Sequence, residues 1–158
     1  MPLTYARALY LCDLVVEELN AIQPDTDLEY EAVRQYSFGF ADGDLSDLQV
    51  PVRPYDMTRE TESRDDEEHN HQIEIGIYKK VDRKDVESID AYFNVAITFA
   101  NLFPIDRVLS VDSSNMTVVE NRFFPLFTRS EKIMDNYNSA ETRFISHILL
   151  TFKEWVST

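Results

Sequence analysis

The spacing of apolar residues at the start of the chain predicts an amphipathic helix over residues 4–23. Apolar side chains recur there at steps of three and four, the period of one helix face. Thr4 can cap the first turn, and Pro24 closes the last one. The positions that form this stripe are Ala8, Leu11, Cys12, Val15, Leu19 and Ile22.

Alternation with a period of two replaces the helical spacing after residue 27 and predicts strands at 28–38 and 48–53. The turn signal Ala41-Asp42-Gly43-Asp44 separates them. Pro51 and Pro54 cannot donate backbone hydrogen bonds, so we expect the second strand to lie at an edge or to pair only briefly.

Residues 54–72 are polar and acidic, with 7 acids and 2 bases between positions 56 and 68. They lead directly into an alternating strand with Ile73, Ile75 and Ile77 on one face. Two strands joined by such a tip predict an extended hairpin or a protruding arm. The alternative interpretation is an ordinary solvated loop.

The second half of the chain predicts a helix at 82–103, short strands at 107–111 and 116–124, and a short helix from a capping box at 128–131 to about 137. A long strand with two apolar faces follows at 143–152 and should be central or covered on both sides. We therefore expect one α+β domain over residues 1–158, with an antiparallel-rich sheet and two main helices. The expected core includes Val15, Leu19, Phe93, Ile97, Ile148 and Leu150.

Charge narrows the range of partners. Residues 1–68 contain 17 acidic and 5 basic residues and carry −12 of the net charge of −14. Such a surface repels duplex DNA and anionic membranes. No apolar stretch approaches the roughly 20 residues of a membrane span.

No catalytic, cofactor-binding or metal-binding motif emerges from the residues. His69 and His71 share a strand face near Glu67, but further metal ligands would have to come from elsewhere, so we interpret them as the edge of a solvated loop. His147 is expected to be a hydrogen-bonded core or interface residue. Cys12 lies in the apolar stripe and is expected to be a buried, inert thiol.

The layout resembles the tail terminator proteins of tailed bacteriophages, which are small α+β proteins that form a ring. Four features carry the resemblance: the first helix, the hairpin ending in Gln72-Ile73-Glu74-Ile75-Gly76-Ile77-Tyr78, the helix from Asp85 to Asn101, and the closing segments Arg122–Phe127 and Phe144–Lys153. The resemblance covers most of the chain as a pattern and includes no invariant motif.

The resemblance implies a structural, non-enzymatic virion protein of the neck or tail that is assembled in the host cytoplasm. A ring, expected to be a hexamer, would cap the head-proximal end of the tail tube and contact the tube protein and the head connector or adaptor. DNA would pass through the lumen without specific binding. The candidate interface or lumen residues are Asp65, Asp66, Glu67, Glu68, Ile73, Ile75 and Ile77.

Three alternatives stay open at this point. The chain could be another phage neck or head–tail adaptor protein, because such proteins share related folds. It could be an acidic inhibitor that mimics DNA, which would require acids spaced over one face. It could also be an enzyme without a recognisable motif, which a cleft with a strongly shifted carboxylate would indicate.

Overall fold

A computed structural model describes residues 4–40, 42–61, 66–82, 84–111, 114–132 and 140–157, with side chains for 7–40, 44–56, 67–82, 84–111, 114–124 and 143–156. The two helices are α1 (Thr4–Ala21) and α2 (Val86–Asn101), and short 3-10 helices lie at Gln23–Thr26 and Asp42–Ser46. The strands are β1 (Tyr30–Arg34), β2 (Leu48–Thr61), β3 (Asp66–Lys80), β4 (Val108–Val111), β5 (Ser114–Lys132) and β6 (Ala140–Ser157).

The six strands form one sheet in the order β1-β2-β3-β6-β5-β4. Only β1 and β2 pair in parallel, and every other neighbouring pair is antiparallel. This confirms the prediction of an antiparallel-rich sheet combined with two helices. The long closing strand, β6, lies between β3 and β5, so the prediction of a central strand is also confirmed.

Both helices lie on one face of the sheet, where α1 contacts β1, β2 and β4 and α2 contacts β5 and β6. Four of the six predicted core residues have no exposed surface: Val15, Leu19, Ile148 and Leu150. Cys12 is buried there as predicted, and this burial, with the charge of Asp13, raises the pKa of its thiol to about 12.

The buried face of α2 matches the predicted one in part. Val95, Ala96 and Phe99 are buried, whereas Phe93, which still packs against the core, and Ile97 are only half-buried. The helix begins one residue after Asp85, whose carboxylate accepts a hydrogen bond from the Ser88 backbone N–H. The apolar stripe is wide enough to allow either face, and the position of the sheet selects the one that packs.

The region predicted to be an arm is largely part of the sheet. β2 continues to Thr61, which pairs with Glu67 of β3, and β3 in turn pairs with β6 from Asp66↔Ser157 onward. An extended hairpin that projects from the domain is therefore not confirmed. Residues 62–65, which include Asp65, lie outside the described residues.

Of the two alternatives predicted for the proline-containing strand, the brief pairing is confirmed: β1 pairs with β2 only as far as Val52, and Pro54 comes after that point. The helix predicted to begin at 128 is wrong for residues 128–132, which are the end of β5, where Glu131 pairs with Glu141 of β6; residues 133–137 lie outside the described residues. Pairing with a neighbouring strand outweighs the local capping signal there. Within the described ranges, neither helix is long and apolar enough to span a membrane.

Candidate functional site

One face of β3 changes from apolar to polar along its length. Successive side chains of a strand point to opposite faces, so Glu67, His69 and His71 share the face of Ile73, Ile75 and Ile77 that lies under the helices. His69 is 4% exposed and His71 is 0% exposed. The interpretation of these histidines as the edge of a solvated loop is therefore wrong.

Glu154 of β6 completes a cluster with the two histidines. It lies directly opposite His69 in the β3–β6 register, and it is 0% exposed. The distance to Glu154 Oε1 is 3.9 Å from His69 Nδ1 and 3.3 Å from His71 Nε2. One potential ligand atom from each of His69, His71 and Glu154 lies within 4.8 Å of the other two. The residues could therefore hold a metal ion.

The second oxygen of Glu154 has different partners. Its Oε2 lies 2.9 Å from Arg7 Nη1 of α1 and accepts a hydrogen bond of 2.5 Å from Ser114 Oγ. Burial alone would raise the pKa of this carboxyl, but the hydrogen bonds from His71 and Ser114 and the charge of Arg7 outweigh burial and hold it below its usual range. Glu154 is therefore a buried carboxylate with one oxygen directed to the histidines.

The ring nitrogens of the two histidines are incompletely satisfied. His69 Nε2 lies 2.9 Å from Glu67 Oε2, whose side chain is partly exposed. The Nδ1 atoms of both His69 and His71 are buried, and neither makes a hydrogen bond to any described residue. Buried polar nitrogens are nearly always paired, so two unpaired ones in a single cluster require an explanation.

A second histidine–carboxylate group lies on the opposite face of the same strands. The Tyr78 hydroxyl is 2.7 Å from His147 Nε2, and His147 Nδ1 is 3.9 Å from Glu74 Oε2. Arg53 Nη2 pairs with Glu74 at 2.7 Å. The prediction that His147 is a hydrogen-bonded residue is confirmed.

An aromatic cap covers this second group. Phe38 stacks near Tyr78 and His147, and the Arg53 guanidinium lies 4.3 Å from its ring centre. Gly76 provides the necessary space, because a Cβ at this position would lie 2.7 Å from the Tyr78 ring and 2.9 Å from the Phe38 ring. A glycine within a strand was the sequence signal for this close approach.

The structure separates the residues predicted to form an interface or a lumen. Ile73, Ile75 and Ile77 have no exposed surface and belong to the core. Glu68 is 7% exposed, and Lys153 lies 2.7 Å from it. Glu67 contacts His69, Asp66 begins β3, and Asp65 is outside the described residues. The structure therefore does not bring the isoleucines and the acids together on one exposed surface.

A concavity of about 550 Å³ lies between the first 3-10 helix and α2. Among the described residues, its lining includes Asp25 and Asp27 but neither histidine nor cysteine. The cluster around Glu154 is chemically the more distinctive feature.

Comparison with known proteins defines the fold only. No family model matches the chain, and no curated protein matches it. Among solved structures, 26 chains match, so the fold is a recurrent one. One of them, known only by a sequence identifier, has a TM-score of 0.51 at 12% identity over 93% of both chains. At this identity the likeness shows a shared fold and carries no function.

Proposed function

We propose that this chain is a structural, non-enzymatic phage protein that forms a ring as a tail terminator or a related neck component. The ring caps the head-proximal end of the tail tube, stops the addition of further tube subunits and joins the tube to the head connector. The resemblance in layout motivates the proposal. The two edges of the sheet are the structural observation that carries it.

The sheet ends at β1 on one side and at β4 on the other, and neither outer edge pairs with another described strand. Each edge strand has an exposed valine: Val33 on β1 is 47% exposed and Val108 on β4 is 49% exposed. At the outer edge of β1 the Asn20 side chain of α1 already bonds the N–H and the C=O of Ala32, so this edge offers exposed side chains, whereas the edge of β4 can pair with another chain. A ring built head to tail needs two different contact surfaces on each copy, and these edges supply two.

The open face of the sheet adds further apolar surface. The helices cover the other face, and the segment with Phe38, Phe40 and Leu45 covers only the part around Tyr78 and Ile145. Phe124 on β5 and Trp155 on β6 remain about half exposed. Exposed aromatic residues on an acidic chain are consistent with contacts to a neighbouring ring or tube subunit.

The acidic half of the chain fits a channel that DNA crosses without binding. The net charge of −14 would be repeated in every copy, and like charges repel the phosphate backbone. In this proposal, the tip of the β2–β3 hairpin, with Asp65, Asp66 and Glu67, faces the lumen or a neighbouring ring. Ile73, Ile75 and Ile77 then stabilise the fold of each copy instead of the interface.

The ring is tested by sedimentation velocity and negative-stain electron microscopy of the purified protein. We expect ring particles of hexameric mass. Val33→Lys or Val108→Lys should shift the protein toward the monomer, because each places a charge in an edge contact. Val86→Lys is the matched control, since Val86 is 61% exposed at the start of α2, away from both edges.

Two results would contradict the proposal. One is a native protein that remains monomeric at every concentration and does not attach to purified tail tubes. The other is a ring that survives Val33→Lys and Val108→Lys as well as it survives Val86→Lys, because the edges would then not form the contacts.

A further inference from the structure

We propose that His69, His71 and Glu154 bind one divalent transition-metal ion, with zinc as the best fit, and that the ion links β3 to β6 beneath the first turns of α1. This site is independent of the proposed ring function. It rests on three observations: the ligand atoms converge, the two oxygens of Glu154 have different partners, and one nitrogen of His69 is buried without a hydrogen bond to a described residue.

The ligand atoms are close to a metal-binding arrangement. Atoms bound to one tetrahedral zinc at about 2.0–2.2 Å lie roughly 3.3–3.6 Å from one another. Here, Glu154 Oε1 lies 3.3 Å from His71 Nε2 and 3.9 Å from His69 Nδ1. One potential ligand atom of each residue lies within 4.8 Å of the other two, so small side-chain rotations would bring them to these distances. The ion would take the place of the hydrogen-bonded proton between His71 Nε2 and Glu154 Oε1.

The partners of Glu154 leave one oxygen for an ion. Arg7 and Ser114 both contact Oε2, whereas the described side chains nearest Oε1 are the two histidines. Arg7 therefore holds the carboxylate in place and stays on the side away from the proposed ion. A ligand fixed by hydrogen bonds from outside the coordination shell is typical of protein metal sites.

Glu67 positions His69 for a metal. A His69 ring that donates its Nε2–H to Glu67 Oε2, 2.9 Å away, can offer the lone pair of Nδ1 to an ion. That Nδ1 is buried 3.9 Å from Glu154 Oε1 and makes no hydrogen bond to a described residue. An ion between these two atoms would satisfy both. The Glu67–His69 pair has the form of the carboxylate–histidine–metal triad.

The donor set favours one class of metal. Two imidazole nitrogens and one carboxylate oxygen suit zinc and its neighbours, whereas calcium and magnesium prefer oxygen ligands alone. Three protein ligands leave a fourth position for water. Because the ligands are buried, the ion would join two long strands where the apolar part of the core ends.

The test uses untagged protein, Zn²⁺ alone in equilibrium dialysis with elemental analysis, and Co²⁺ absorption to report the geometry. We expect one zinc per chain and a tetrahedral cobalt spectrum. His69→Ala and His71→Ala should each abolish tight binding. His147→Ala is the matched control, because His147 is the third histidine of the chain and lies on the opposite sheet face.

Glu67→Gln keeps the test decisive if the histidine variants fail to fold. Glu67 is partly exposed, so this variant should fold, and loss of an outer-shell carboxylate should weaken zinc binding by about 10–100-fold. The proposal is overturned if the native protein binds no more zinc than the doubly substituted His69→Ala/His71→Ala protein. It is also overturned if His147→Ala removes zinc as effectively, or if Glu67→Gln leaves the Kd unchanged.

Discussion

β3 and β6 carry a histidine–carboxylate group on each of their two faces, and the two groups differ in how completely they are satisfied. On the open face, His147 Nε2 lies 2.7 Å from the Tyr78 hydroxyl, and its Nδ1 lies 3.9 Å from Glu74 Oε2 in a side chain that is about a quarter exposed. On the helix-covered face, His69 Nδ1 lies at the same 3.9 Å from Glu154 Oε1, and the Nδ1 atoms of His69 and His71 are buried without a hydrogen bond to a described residue. The same residue types are therefore open to solvent on one face and enclosed on the other.

The difference shows why burial, rather than the presence of histidine and glutamate, sets the two groups apart. The His147 side chain is about a quarter exposed, so water can reach its Nδ1. His69 and His71 are almost completely buried, and an unsatisfied buried nitrogen costs about 1–3 kcal/mol. The proposed ion would remove that cost at His69 Nδ1.

The largest expected difference between the two faces is in how much their carboxylates contribute to the free energy of unfolding. Glu154→Ala should lower the free energy of unfolding by about 3–5 kcal/mol, because it leaves Arg7 without its buried partner. Glu74→Ala should cost about 1 kcal/mol, since its partner Arg53 is partly solvated. Urea unfolding with a chelator present measures both. Equal losses from the two variants would show that the faces do not differ in this way.

Two adjacent leucines of β6, Leu149 and Leu150, provide a second contrast between the two faces of the sheet. Leu150→Ala removes a fully buried side chain from the helix-covered face and should cost about 2–5 kcal/mol. Leu149→Ala, on the half-buried open face, should cost about 1 kcal/mol or less in the isolated chain. Thermal unfolding of the two variants tests this ranking, and the reverse order would contradict the assignment of the faces.

The pH dependence of stability gives the smallest expected difference between Glu154 and Glu74. Burial alone would raise the pKa of Glu74, but the His147 ring and the Arg53 guanidinium outweigh it and hold the pKa below its usual value, as His71, Ser114 and Arg7 do for Glu154. A lowered pKa in the folded state contributes stability that is complete above the unfolded value of about 4.5 and is lost as the pH falls through the folded pKa. Urea midpoints measured across this acidic range should fall less steeply in Glu154→Gln than in the native chain. Glu74→Gln should change the slope less, and an unchanged slope in Glu154→Gln would contradict the assignment.

Periodicity predicted the elements that depend on a local pattern. The first helix, the strand with Ile73, Ile75 and Ile77, and the central closing strand all follow from the spacing of apolar residues. Periodicity did not predict the strand structure of residues 54–61 and 128–132, because that structure depends on pairing with β3 and β6. Polar composition favours a loop or a helix cap locally, and a neighbouring strand reverses that preference.

The cluster of His69, His71 and Glu154 could not be predicted from the sequence for a related reason. The alternation of β3 places His69 and His71 on one face, but Glu154 follows 83 residues after His71, and only the β3–β6 register brings them together. A visible signal was the acid at 154 on the same face of β6 as Leu150 and Phe152. An acid that continues an apolar face suggests a buried partner, although it does not identify one.

The measurement that tests the account most directly is native mass spectrometry of the untagged protein after exposure to zinc and removal of the excess. The account predicts a hexameric particle with one zinc per chain, because the sheet edges join copies and the covered face of each copy holds an ion. A zinc-free ring would contradict the metal site alone, and a zinc-bound monomer would contradict the ring alone. A zinc-free monomer at every concentration would contradict the account as a whole.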